Sequence, residues 1–100
     1  MKIVKDVDVV FHLAVQCVRK SIRDQWIVHD VNSSGTLSVL DAAFKNDVKK
    51  FIYVSSSEVY GHAINVPMDE KHPTNPTTIY GASKLTGEYY CLAYYRTYGF

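Results

Sequence analysis

The chain has 100 residues, 47% of them hydrophobic, and a formal net charge of +1. That length holds one domain at most, and the near-neutral balance gives no electrostatic case for nucleic acid or an anionic membrane. No apolar run approaches transmembrane length and no signal peptide is visible.

Two cysteines, Cys17 and Cys91, lie far apart without metal-ligand spacing. They suit reduced thiols in a cytoplasmic protein rather than a disulfide framework or a zinc site. His12, His29, His62 and His72 show no ligand spacing either, so no metal is expected. The cluster Arg19-Lys20-Arg23 reads as a solvated helix face.

In chain order, Val7 to Leu13, apolar except for Asp8 and His12, predicts a buried parallel strand. His12, near its end, reads as a packed histidine. A polar connection spans Gln16 to Gln25. Trp26 to Asn46 predicts a long helix, because Val28, Val31, Leu37, Leu40, Ala43 and Phe44 recur at roughly helical spacing. Gly35 lies inside it at a cost of about 1 kcal/mol relative to Ala, which suggests close approach to another backbone, with simple tolerance as the alternative. Lys49 to Ser55 predicts the next strand, breaking into Ser55-Ser56-Ser57. Gly61 to Thr78, with three prolines, is a long loop. Thr77 or Thr78 caps a last helix that runs to about Tyr98, before Gly99. The strand–helix–strand–helix order implies crossovers and a parallel sheet.

Two features point to chemistry. In Ile79-Tyr80-Gly81-Ala82-Ser83-Lys84, Tyr80 and Lys84 are four residues apart. On a helix that spacing stacks them on one face, one turn apart. A phenol is a poor base at neutral pH, and a neighbouring ammonium favours the phenolate. Such a pair can take a proton from an alcohol or sugar hydroxyl. The three serines come at the carboxyl end of a predicted strand, where ligands bind in open α/β sheets. A cap role does not account for all three.

Four motifs in order carry a resemblance: Val7-Asp8-Val9-Val10-Phe11-His12-Leu13-Ala14, Asn32-Ser33-Ser34-Gly35-Thr36, Val54-Ser55-Ser56-Ser57-Glu58-Val59-Tyr60-Gly61 and Tyr80-Gly81-Ala82-Ser83-Lys84. With them the chain resembles extended short-chain dehydrogenases/reductases of the NAD-dependent nucleotide-sugar epimerase/dehydratase group, most closely the UDP-glucose 4-epimerase-like members. The resemblance implies an α/β fold, part of a Rossmann-like doubly wound parallel sheet. Residues 1–100 correspond to the central part of that NAD-binding domain. The glycine-rich pyrophosphate turn of the family is not in the sequence, since no glycine precedes Gly35, and neither is the later substrate region. The expectation is therefore a central segment that is not competent alone.

The same resemblance assigns roles. Tyr80 would be the base, Lys84 would bind the nicotinamide ribose and lower the Tyr80 pKa, and Ser56 would relay the proton. Leu13, Ala14, Gln16, Asn32 and Ser55 would join Tyr80 and Lys84 around NAD. The segment from His12 to Val18 is about one residue shorter than the family pattern, with Val15 in place of a small residue. A 4-epimerase would oxidise C4, let the keto sugar rotate and return the hydride. A 4,6-dehydratase or decarboxylase-type member would also use Glu58 as acid/base. A non-catalytic fragment with no independent function is the third alternative. The implied partners are a nucleotide sugar, a UDP-sugar first, and a second copy packed through the helices Trp26–Asn46 and Tyr80–Tyr98. The tyrosines of the last helix suit such an interface.

Overall fold

A computed structural model describes residues 2–100. After a short 3-10 turn, Lys2–Val4, come strand β1 (Val9–His12) and helices α1 (Val18–Arg23) and α2 (Gln25–His29). A π-helical turn, Asp30–Ser34, leads directly into α3 (Gly35–Lys45). Strand β2 (Lys50–Tyr53), a 3-10 turn (Ser57–Val59) and helix α4 (Ile79–Tyr98) complete the order. The two strands are parallel, with Val9 opposite Lys50 and His12 opposite Tyr53.

Both strands are shorter than their apolar runs suggest. The Asp8 carbonyl accepts from Lys49 N–H and Lys50 N–H at one end of the ladder, and Val54 N–H donates to His12 O at the other. Residues beyond those points have no opposite partner on the neighbouring strand. The stretch from Gln16 to Gln25 is not a plain connection but contains α1. It ends where Asp24 caps α2, its carboxylate accepting from Ile27 N–H at 3.1 Å. Arg19, Lys20 and Arg23 lie exposed on α1. The long helical run is real, yet it changes winding at Asp30–Ser34. Such π turns re-aim side chains and are frequent at functional sites.

Helical spacing buries Val28, Leu40 and Ala43. Leu37, counted with them by spacing, lies on the outer side at 36% exposure. Fully burying a side chain such as Leu40 or Val28 contributes about 1.5–3 kcal/mol. Ala42, Ala43, Val48 and Val4 form a cluster against which Val10, Phe51 and Phe100 pack. The alternate strand residues Val9, Phe11 and Leu13 are exposed. Side chains alternate across a strand, so one sheet face is covered by helices and the other is open. Parallel sheets are ordinarily covered on both faces.

Helix α4 starts where Thr78 Oγ1 accepts from Gly81 N–H (2.9 Å) and ends at Gly99 in the left-handed conformation. Its placement depends on glycine at two positions. A Cβ on Gly81 would lie 2.6 Å from the Glu58 carbonyl oxygen, and one on Gly87 would lie 2.3 Å from the Tyr53 hydroxyl. Gly35 needs no such space: a Cβ there would meet the Asp30 carbonyl oxygen, within its own helix, at an ordinary 3.4 Å. The close approach expected at Gly35 is therefore found in α4.

Gly81→Ala should lower stability by about 1–3 kcal/mol through overpacking against backbone, whereas Gly35→Ala should be neutral or stabilise by up to about 1 kcal/mol. Urea unfolding of both variants checks this. Equal effects at the two sites would contradict the packing described.

Candidate functional site at the carboxyl end of the strands

Strand β2 runs out at Tyr53 and α4 passes over its end. Lys84, in the second turn of α4, is only 4% exposed. Lysine is almost never buried this deeply unless paired. Its partners are a carbonyl and a ring: Nζ donates to Val54 O at 2.7 Å and sits 4.4 Å from the centroid of Tyr53. Among the described residues no carboxylate lies within ion-pair distance of it; the ion pairs are Lys45–Asp41 and Lys49–Asp8. Burial pushes the Lys84 ammonium below its usual range, with Glu88 opposing. An ammonium has three donors, and one is used here.

The hydroxyl of Tyr53 donates to Lys84 O at 3.0 Å, so ring and hydroxyl both meet the same lysine. Burial drives the Tyr53 phenol well above its ordinary range, foremost among its causes. Tyr53 is therefore neutral at physiological pH and acts as a donor.

The three serines separate into three situations. Ser56 Oγ accepts from Glu58 N–H at 3.2 Å and caps the 3-10 turn; its own hydroxyl proton remains available. Ser55 Oγ is buried without a hydrogen-bond partner among the described residues. Ser57 is exposed within the turn. An unsatisfied buried hydroxyl costs about 1–3 kcal/mol, and such a group at a strand's carboxyl end fits a polar ligand. Glu58 is half-buried, held beside the start of α4 by the approach of its carbonyl to Gly81.

The π turn places Asn32 between two segments. Its Oδ1 accepts from Gln16 N–H (2.8 Å), and its Nδ2 donates to Gln16 O (3.1 Å) and Ser83 Oγ (3.1 Å). Ser83 in turn donates to Tyr80 O at 2.7 Å. One buried amide thus ties the segment after β1 to the helix carrying Tyr80 and Lys84. Leu13 and Ala14 lie exposed on that segment, at the same sheet edge. Tyr80 is half-buried in the first turn of α4.

His12 is buried and packed, as its place in the strand suggests. Thr36 has a single hydroxyl proton and gives it to Asn32 O at 2.6 Å. Its oxygen, 2.9 Å from His12 Nε2, must therefore accept from Nε2–H. Burial, and then the nearby Lys84 charge, hold the imidazole below its usual pKa. Tyr53 and Ser83 were not singled out from the sequence. Ser83 lies inside the Tyr80–Lys84 motif; nothing local distinguishes Tyr53 from any other strand aromatic.

The sequence pattern described as the NAD dependent epimerase/dehydratase family matches residues 1–100. The chain is 43% identical over 97 residues to a putative UDP-glucose 4-epimerase of Methanocaldococcus jannaschii, covering 95% of this chain and 32% of that protein. It is 38% identical to a mouse dTDP-D-glucose 4,6-dehydratase, covering 97% of this chain and 28% of that one. Among solved structures, it is similar to a UDP-N-acetylglucosamine 4-epimerase from Methanobrevibacter ruminantium in complex with UDP-N-acetylmuramic acid. That match has a TM-score of 0.92 and 36% identity, covering 98% of this chain and 32% of that one. A Streptomyces venezuelae dTDP-glucose 4,6-dehydratase with NAD bound superposes with a TM-score of 0.92 at 32% identity, covering 98% and 31%. The chain therefore spans about a third of the length of these relatives.

Because the folded pKa of His12 lies below its unfolded value near 6.5, the unfolded chain takes up the proton first as pH falls. Stability should be full above about pH 6.5. It should decline as pH drops from there to the lowered folded value, then level off. Thermal unfolding across that range should show the decline in the native chain and a flatter profile in His12→Gln, which keeps a donor for Thr36. A native profile that rises toward acid would contradict the assignment.

Proposed function

We propose, since the chain belongs to the NAD dependent epimerase/dehydratase family, that it supplies the acid/base and nicotinamide-facing part of a nucleotide-sugar 4-epimerase. The observation that carries this reading is the buried Lys84 ammonium. It is fixed by Val54 O at the end of β2, one helical turn from Tyr80, with two N–H donors free among the described residues. A perturbed, desolvated charge at the ligand edge of a parallel sheet is a functional candidate on physical grounds.

The residues present fit a nicotinamide nucleotide. Free donors on Lys84 and the orphaned Ser55 hydroxyl suit ribose and amide oxygens. Exposed Leu13 and Val54 offer apolar surface beside them. Asn32 holds the Gln16 backbone and so orients the segment bearing Leu13 and Ala14. When bound, NAD supplies the hydride acceptor and donor. Tyr80 Oη takes the proton from the sugar C4 hydroxyl and gives it back on the return step. Ser56, whose proton is not spent on the turn it caps, hydrogen-bonds the same oxygen. Lys84 orients the ribose. A UDP-sugar is the first candidate substrate, in keeping with the M. jannaschii relative.

The second reading is a 4,6-dehydratase or decarboxylase-type reaction. It is supported by Glu58, half-buried and held beside the start of α4. In that reading Glu58 exchanges the proton near C5 of the oxidised sugar.

Both thiols are free, which supports a cytoplasmic setting. No helix is long and apolar enough to cross a membrane among the described residues. The exposed row Tyr89, Leu92 and Tyr95 on α4, with Leu37 on α3, supports a homodimer through these helices. Sedimentation of an active protein carrying the segment checks this, and a monomer at all concentrations would rule it out.

In such a protein, Tyr80→Phe should cut turnover by about 10²–10⁴-fold while leaving sugar-nucleotide binding largely intact. Retention of more than about a tenth of kcat would contradict the base assignment. Glu58→Gln should leave epimerisation with a modest loss. Stalling at a 4-keto sugar with reduced cofactor building up in absorbance would instead select the dehydratase reading.

A further inference from the structure

We propose that Tyr53 is a positioning residue for Lys84: its ring face holds the ammonium at the site, and its hydroxyl fixes the backbone of the same residue. The proposal rests on the cofactor-facing role given to Lys84 above, and it goes further by naming what aims that lysine. Tyr53 is the last residue of β2, and its side chain lies on the helix-covered face. The Lys84 Nζ stands 4.4 Å from the ring centroid. That is inside the roughly 6 Å range of a cation–π contact, which is strongest when the cation is desolvated. Lys84 is desolvated, at 4% exposure.

Three further contacts make the ring a built feature. The hydroxyl donates to Lys84 O at 3.0 Å. Behind it the ring stacks on His12, centroids 6.1 Å apart and planes 27° apart. His12 is itself held by Thr36. On the far side α4 carries glycine at 87, where any Cβ would fall 2.3 Å from the Tyr53 hydroxyl and 2.9 Å from a ring carbon. The helix leaves a slot one residue wide, and Tyr53 fills it.

The physical consequence is directional. Val54 O supplies one point of attachment for Nζ, and a single hydrogen bond leaves a four-carbon chain free to swing. The ring face supplies a second attachment. Together they restrict where the ammonium can sit and so which way its remaining donors can face. The ring also offsets part of the desolvation that depresses the lysine.

Replacing Tyr53 with phenylalanine and then with mono-, di- and trifluorophenylalanine tests this, because fluorine weakens the ring quadrupole with little change of shape. The readout is the titration of Lys84 followed by NMR at Cε and Nζ. Each added fluorine should move the Lys84 midpoint further down, while Tyr53→Phe itself changes it least. A midpoint indifferent to fluorine number would overturn the proposal. Should the substituted chains fail to fold, the native chain still decides. The Lys84 Hε resonances should be shifted upfield by the ring current, and ordinary shifts would overturn the assignment. Neither readout involves NAD. Failure here leaves the role of Lys84 standing, whereas Lys84→Met without loss of turnover in an active protein would remove that role whatever Tyr53 does.

Discussion

One hydrogen bond, from the Lys84 ammonium to the Val54 carbonyl, holds the geometry of the site together. Burying an ammonium is costly unless it is hydrogen-bonded. The chain meets that cost with a carbonyl left over at the point where β2 stops pairing and with the face of Tyr53. Because the carbonyl directly follows the strand's last residue and the lysine belongs to α4, the bond fixes the helix against the end of β2. Tyr80, one turn earlier on α4, takes its position from this bond.

Two close approaches then fix the helix against its neighbours. Gly81 admits the Glu58 carbonyl, and Gly87 admits the Tyr53 ring. The first sets the distance between α4 and the Ser56–Glu58 turn; the second sets the distance to β2. Asn32 completes the frame from the opposite side, bonding both the Gln16 backbone and Ser83. Its reach across to α4 depends on the π turn that contains it. Tyr80 and Lys84 are therefore carried by two close contacts that leave no room for a Cβ, and by one buried amide.

The elements were legible where periodicity is strong. The long helix through residues 25–45 shows a 3.6-residue pattern, and α4 shows its Thr78 cap and Gly99 stop in the sequence. The helix α1 was not, because Val18–Arg23 carries three basic residues and too few apolar ones to show a face. The π turn has no sequence signature of its own. Gly35 drew attention as a helix glycine but has ordinary space around it. Gly81 and Gly87 matter because of partners 23 and 34 residues away in the chain, which no local window contains. At the site, the Tyr80/Lys84 spacing and the serines after β2 were readable. What each serine does was not, since one caps, one is exposed and one is buried without a partner. Tyr53 gave no signal, because a strand aromatic reads as core until the lysine above it is placed.

We propose that Lys84 and its neighbours at the end of β2 receive the nicotinamide end of the cofactor. The most direct measurement is a crystal structure, with NAD, of an active protein carrying this segment. In it a ribose hydroxyl should lie at hydrogen-bond distance, about 3 Å, from Lys84 Nζ, with Val54 O still bonded to the same nitrogen and Ser55 Oγ no longer without a partner. A nicotinamide ribose bound away from Lys84, with that ammonium facing only protein, would contradict it.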